Sequence, residues 1–259
     1  MRLSVLASGS GGNCLLLSGR QTNLLIDAGI STRRIQSFLF SRGLAWRDIG
    51  GVLITHEHSD HIYGLQTMAR CTDVAVYAPH TVANRLLGLL PSLQERLRII
   101  PVGEPFSLGE FRVTAFHTPH DTDESVGYRV EGSGVFALAT DMGCVTEEIR
   151  RGLTGADAVL IEANHDVQML RDGPYPIPLK RRILSPHGHL SNADCALLAR
   201  QLAAGGTKKL ILGHLSRENN RPELALAAVG AALEGLGAEL FCAPPLGPLE
   251  LEICGEEPC

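Results

Sequence analysis

Residues 54–64 read ITHEHSDHIYG, and they put His56, His58, Asp60 and His61 within six positions. The stretch closes an apolar run, GGVLI at 50–54, that has the composition of a buried strand. Imidazole and carboxylate are the donors that borderline divalent cations prefer. His56 and His58 are two apart, so an extended chain points both to one side. A turn before Asp60 and His61 would carry those two to a second ion beside the first. The chain has only ten histidines in 259 residues, so three in six positions do not read as the scatter of a solvated loop. A buried strand that runs into a polar, donor-rich loop is where α/β folds place their sites.

The rest of the chain repeats that style. LSVLAS (3–8), CLLLSG (14–19) and NLLIDAG (23–29) read as a meander separated by Gly-rich turns. STRRIQSFLFSRG (31–43) reads as a helix capped by Ser31 or Thr32 and stopped by Gly43, and 79–90 as another after Pro79. Strands return at 110–116, 126–130 and 135–140. ADAVLIEAN (156–164) and KKLILGHLS (208–216) are strands that enter loops. Helices are expected from Ser191 to the glycines at 205–206, and after Pro222. AELFCA (238–243) and LELEIC (249–254) are expected to close the second sheet. No composition shift marks a boundary, so one domain over 1–259 is predicted, with two sheets packed together and helices outside.

Composition narrows the function. A net charge of −5 argues against holding a polyanion by bulk charge, so any nucleic-acid contact must be local. Seven scattered cysteines, without a C-x-x-C pair, suit reduced thiols filling the core of a cytoplasmic protein. No apolar run is long enough to span a bilayer, so no membrane partner is expected.

The string H-x-H-x-D-H at 56–61, with Asp27 ending an upstream strand, resembles the metallo-β-lactamase superfamily. The resemblance implies an αββα sandwich, two mixed β-sheets with helices on both outer faces, and a dinuclear site at its mouth. It implies that one ion takes His56, His58 and a third histidine. The other takes Asp60, His61 and His214 of LILGHLS, and Asp141 of ALATDMG lies between. Asp27 would stand behind these ligands and orient them. The third histidine is His120 of TPH in preference to His117, which is expected to stand behind the site or to pack. Zn²⁺ or Mn²⁺ fits such donors, and Fe²⁺ is also compatible.

The second half is similar to tRNA 3′-processing endonucleases. There, a histidine paired with an upstream glutamate assists phosphodiester cleavage; the matching residues are His189 and Glu162. SGSGGN (8–13), TDMG, EANHDVQML, KRRILSPHGHLSN and HLSRENN together resemble the YycJ/WalJ-like nucleases. That subgroup implies a compact 5′→3′ exonuclease acting on DNA rather than RNA, with hydroxide held between two ions as the attacking group. The catalytic set would be His189, Glu162 and Asp60. A small-substrate hydrolase (lactonase, thioesterase or cyclic-phosphate phosphodiesterase) is the alternative on the same fold.

Further candidates are weaker. His165 of EANHD is a second candidate to stand behind the ligands, though a polar turn explains it equally. Ser10 and Asn13 of the Gly-rich turn, and Ser216, Asn219 and Asn220 of SRENNR, could bind substrate phosphates. Arg181 and Arg182 of LKRRIL (179–184) could offset the adverse charge locally.

Overall fold

The computed structural model describes residues 1–255. Cys259 and the end of the expected 1–259 domain lie outside the described residues. Strands β1 (Arg2–Ala7), β2 (Cys14–Ser18) and β3 (Asn23–Ile26) form the expected antiparallel meander. β4 (Ile49–Leu53), β5 (Val76–Ala78) and β6 (Leu97–Ile99) extend that sheet in parallel. In the second sheet β7 (Pro105–Leu108), β8 (Phe111–His117), β9 (Val126–Glu131) and β10 (Val135–Ala139) run antiparallel. β11 (Ala158–Glu162), β12 (Lys209–Gly213) and β13 (Glu239–Cys242) continue it in parallel. β14 (Leu249–Glu252) corrects one expectation. It pairs antiparallel with β1 in the first sheet, so the chain's end crosses the sandwich and does not close the second sheet.

The strand sequences show why the sheets face each other. Leu15, Leu17, Leu24 and Ile26 point into the layer between the sheets, where they meet Val113, Tyr128, Phe136 and Leu160. Their neighbours Leu16 and Leu25 point outward. That period of two, apolar on both faces, belongs to strands buried on both sides. Helices α1 (Thr32–Ser41), α3 (Leu65–Cys71) and α4 (His80–Leu89) cover the first sheet through Ile35, Met68 and Val82; between α1 and α3 lies the short α2 (Ser59–Ile62). α5 (Glu147–Leu153), α8 (Asn192–Ala204) and α9 (Pro222–Leu233) cover the second through Ile149, Leu198 and Val229. Between them α6 (Val167–Asp172) and α7 (Ile177–Ile183) build the loops after β11. The result is the αββα sandwich that the resemblance implies.

Two local expectations change. Ser31 precedes α1 but makes no capping bond with its side chain; the Thr32 hydroxyl instead donates to the Gly64 carbonyl. Cys14 and Cys195 fill the core, whereas Cys71 and Cys254 are exposed.

Candidate metal centre

Among the described residues, three non-glycine positions have positive φ: Asp27 (58°), Asp141 (55°) and His214 (55°). All three follow strand ends, after β3, β10 and β12. The left-handed region costs an L-residue roughly 1–2 kcal/mol. Such strain persists where packing over-determines it, and it gathers at functional sites. Each fully buried Leu or Ile of the strands contributes about 1.5–3 kcal/mol, so the layers beneath can hold the distortion. The sharp turn aims each of these side chains back over the end of the sandwich, where the loop after β4 delivers its own donors.

The donors converge in two groups. His58 Nδ1 and His120 Nε2 lie 3.3 Å apart, and the His56 ring lies 4.6 Å from that of His58 and 5.1 Å from that of His120, centroid to centroid. His61 Nε2 and His214 Nε2 lie 3.6 and 3.4 Å from Asp60 Oδ2. Asp141 stands between the groups: one oxygen is 3.6 Å from His120 Nε2 and 3.5 Å from His214 Nε2, the other 3.2 Å from His61 Nε2. Donors on one ion at about 2.0–2.2 Å sit at such mutual distances. Two atoms test the fit. His56 Nε2 and Asp141 Oδ2 are buried without a hydrogen-bond partner, and a divalent cation would satisfy both. Burial holds the His56 pKa well below its ordinary value, which leaves a neutral ring with a free lone pair. Burial would lower the His61 pKa too, but the Asp27 and Asp141 carboxylates outweigh it and raise it to about 10. A field that favours a proton there also favours a cation.

Buried carboxylates orient the rings. Asp27 accepts from Thr55 N–H at 2.9 Å, from the Thr55 hydroxyl, and from His61 Nδ1–H at 2.7 Å. Fully buried Glu162 accepts from the backbone N–H groups of Met142 and Leu190 through Oε2. Its Oε1 accepts from His214 Nδ1–H at 2.8 Å and His189 Nδ1–H at 2.7 Å. Glu162, His189, His214 and Asp141 are close enough to hold an ion, but the short contacts to Glu162 are hydrogen bonds that already use the Nδ1 atoms. Burial would depress the His189 pKa; the charge and hydrogen bond of Glu162 prevail and raise it.

The cluster opens into a cavity of about 230 Å³ that His189, Ser10, Ser216, Tyr175 and Arg182 also line. Several expected contacts lie elsewhere. His117 is exposed and bonds Glu148 and Glu124, so it does not stand behind His120, whose Nδ1 donates to the Gly188 carbonyl. Asn13 is buried, with both ends of its amide bonded to Gly9 and its Nδ2 3.0 Å from His61 Nε2, so it braces the loop and lies outside the cavity lining. Asn220 is buried between Asn192 and the Ala163 carbonyl, and Asn219 against Ser216, so neither reaches the cavity. Arg181 is exposed and outside the lining; Arg182 lines it and pairs with Asp121. His165 is buried with both ring nitrogens unpartnered. Sequence reasoning missed Asp121, 3.1 Å from His120 Nε2, although the dipeptide His120–Asp121 was its signal. It also missed the Thr55 hydroxyl that ties Asp27 to the ligand loop.

This architecture is that of a known class: the chain belongs to the β-lactamase superfamily, whose domain it matches over residues 22–215. Within that class it is similar to exodeoxyribonuclease YycJ of Bacillus anthracis, 41% identical over 92% of this chain and 90% of that one. It is also 40% identical to exodeoxyribonuclease WalJ of Streptococcus pneumoniae, over 86% of this chain and 85% of the relative. Among solved structures, the metallo-β-lactamase-fold protein YhfI of Bacillus subtilis superposes with a TM-score of 0.74 at 18% identity, covering 97% of this chain and 99% of that one. Human tRNase Z, short form, does so at 0.63 and 19% identity, covering 98% and 99%. These two likenesses concern the fold. No helix among the described residues is long and apolar enough to cross a membrane.

Proposed function

We propose that this chain is a metal-dependent exonuclease that degrades DNA from the 5′ end. The observation that carries this reading is His189: its Nδ1 is locked on buried Glu162, and its ring lines the same cavity as the donor cluster. Relatives of nearly full coverage that carry the name exodeoxyribonuclease support it. Lactone or thioester cleavage has no need of such a pair.

His56, His58 and His120 would hold one divalent ion, and Asp60, His61 and His214 a second, with the Asp141 carboxylate between them. When bound, two such ions neutralise charge on a phosphodiester and favour loss of a proton from water. Asp27 and Glu162 keep the Nε2 atoms of His61 and His214 aimed at Asp60 and Asp141 by holding their Nδ1–H groups. Glu162 also stabilises the imidazolium of His189, so its Nε2–H is available to the leaving 3′ oxygen. Asp60 orients with His214 on the same side. Arg182, at the cavity rim, meets a substrate phosphate.

The test uses metal-defined protein, loaded with Zn²⁺ or Mn²⁺, on 5′-phosphorylated and 5′-hydroxyl DNA and RNA, single-stranded and duplex. Release of nucleotides from the 5′ end of DNA is expected. Turnover of lactones or thioesters without cleavage of any nucleic acid would sink the reading.

A further inference from the structure

The 230 Å³ cavity has a larger neighbour. A second cavity, of about 470 Å³, lies on the other side of Asp60. Ser10 and Asp60 line both, so the two are neighbours with Asp60 at their shared wall. Each lobe carries one tyrosine and at least one arginine. Tyr175 and Arg182 line the smaller lobe, Tyr63 and Arg34 the larger. The chain has only four tyrosines, and of the other two Tyr128 is fully buried and Tyr77 packs against the core. The two that are free for a ligand are the two that flank the cluster. Tyr63 is 66% exposed, and among the described residues neither phenol hydroxyl has a hydrogen-bond partner nor either ring an aromatic neighbour.

Charge points the same way. In a chain of net charge −5, Arg34 has no carboxylate partner among the described residues. The Arg217 guanidinium, likewise unpaired, lies against Gly11 of the larger lobe, where a β-carbon would collide with it. Arg182 lines the other lobe, paired there with Asp121. Tyr175 is held between Pro174 and Pro176, with Pro178 two residues on. The prolines fix φ at alternate positions, so this wall loses little freedom on binding.

We propose that the two lobes form one groove for a single strand of nucleic acid, with Tyr175 and Tyr63 as base-stacking platforms on either side of the scissile phosphate. The proposal rests on the nuclease reading and names the form of its substrate. Stacking tolerates any sequence because every base has a π-face, and unpaired arginines track the backbone. A stacked duplex does not offer its base faces, so a duplex substrate must yield its end to the groove strand by strand.

The experiment compares Tyr63→Ala, Tyr175→Ala and the Phe variant at each position on single-stranded oligonucleotides. It measures KM and kcat with the metal-loaded enzyme, and binding by fluorescence anisotropy with metal chelated. Each alanine variant is expected to raise KM and the dissociation constant about 5- to 150-fold with kcat largely kept, and each Phe variant to restore binding. On a strand made abasic at the two nucleotides flanking the cleaved bond, the alanine and wild-type enzymes are expected to be equal. Arg34→Gln should lower the log–log salt slope of binding by about 0.7. Alanine variants within about twofold of wild type in KM and binding, on strands that the wild type cleaves, overturn the stacking groove and leave the nuclease reading intact. A wild type that cleaves no nucleic acid removes both.

Discussion

Asp27, at the end of β3 in the first sheet, grips a single histidine of the donor cluster, His61, and takes its remaining hydrogen bonds from Thr55. Glu162, at the end of β11 in the second sheet, grips two: His214, which faces the donor cluster, and His189, which lines the cavity beside it. The first carboxylate fixes one donor. The second ties a donor to the proposed acid, so its loss is expected to act in two places. Each sheet therefore supplies a ring and the carboxylate behind it, but only the second links the proposed metal site to proton delivery.

Glu162→Gln is the harshest break of that comparison. Four N–H donors would face an amide with one acceptor oxygen. The expected result is a fall in kcat of about 10⁴-fold together with reduced metal content by elemental analysis. Full metal occupancy with wild-type turnover would dissolve the asymmetry between the braces. His189→Ala should separate the two halves of Glu162's task. Activity is expected to fall about 10²- to 10³-fold while bound metal stays at the wild-type level. Loss of metal in that variant would move His189 into the ligand set. Asp27→Asn is milder. Metal affinity should drop about 10- to 100-fold, with activity largely restored at excess metal, because only one donor loses its orientation.

Much of this comparison was legible in the chain, for physical reasons. The donors of 56–61 are contiguous, and Asp141 and His214 follow strands whose double-sided apolar character is local. Chain order and strand ends place such residues at one end of a sandwich. What was hidden depends on partners far along the chain. Asn220 looks like a free polar residue beside a helix until Asn192, 28 residues away, and the Ala163 carbonyl, 57 away, are seen to use up its amide. Asn13 is consumed in the same way by Gly9 and by the Asp60 carbonyl, 47 residues away. His117 shares strand parity with Phe111, Val113 and Ala115, which suggests the interior, but β8 ends there and Glu148 and Glu124 take the ring. The left-handed backbone at Asp27, Asp141 and His214 leaves no mark in composition, since Asp and His occur freely in other conformations. β14 pairs with the edge at β1 although β13 leaves an edge of the second sheet open too, and nothing in LELEIC distinguishes one sheet edge from another.

The smallest expected effect sharpens the comparison most. Half of Glu162's hydrogen bonds come from backbone N–H groups, which no side-chain substitution removes. Asp27 depends on the Thr55 hydroxyl, which reaches both of its oxygens and also lies 3.1 Å from the Nδ1 atoms of His56 and His61. Thr55→Val keeps the branched shape and deletes that hydroxyl, leaving a buried carboxylate with the Thr55 position's N–H and His61 alone. The expected cost is about 1–2 kcal/mol in unfolding free energy, read from the urea midpoint. Metal affinity should weaken by less than in Asp27→Asn, because the bond to His61 remains. If Thr55→Val weakened metal binding as much as Asp27→Asn, the hydroxyl and not the carboxylate would be what orients His61, and the two sheets would support their histidines by different chemistry altogether.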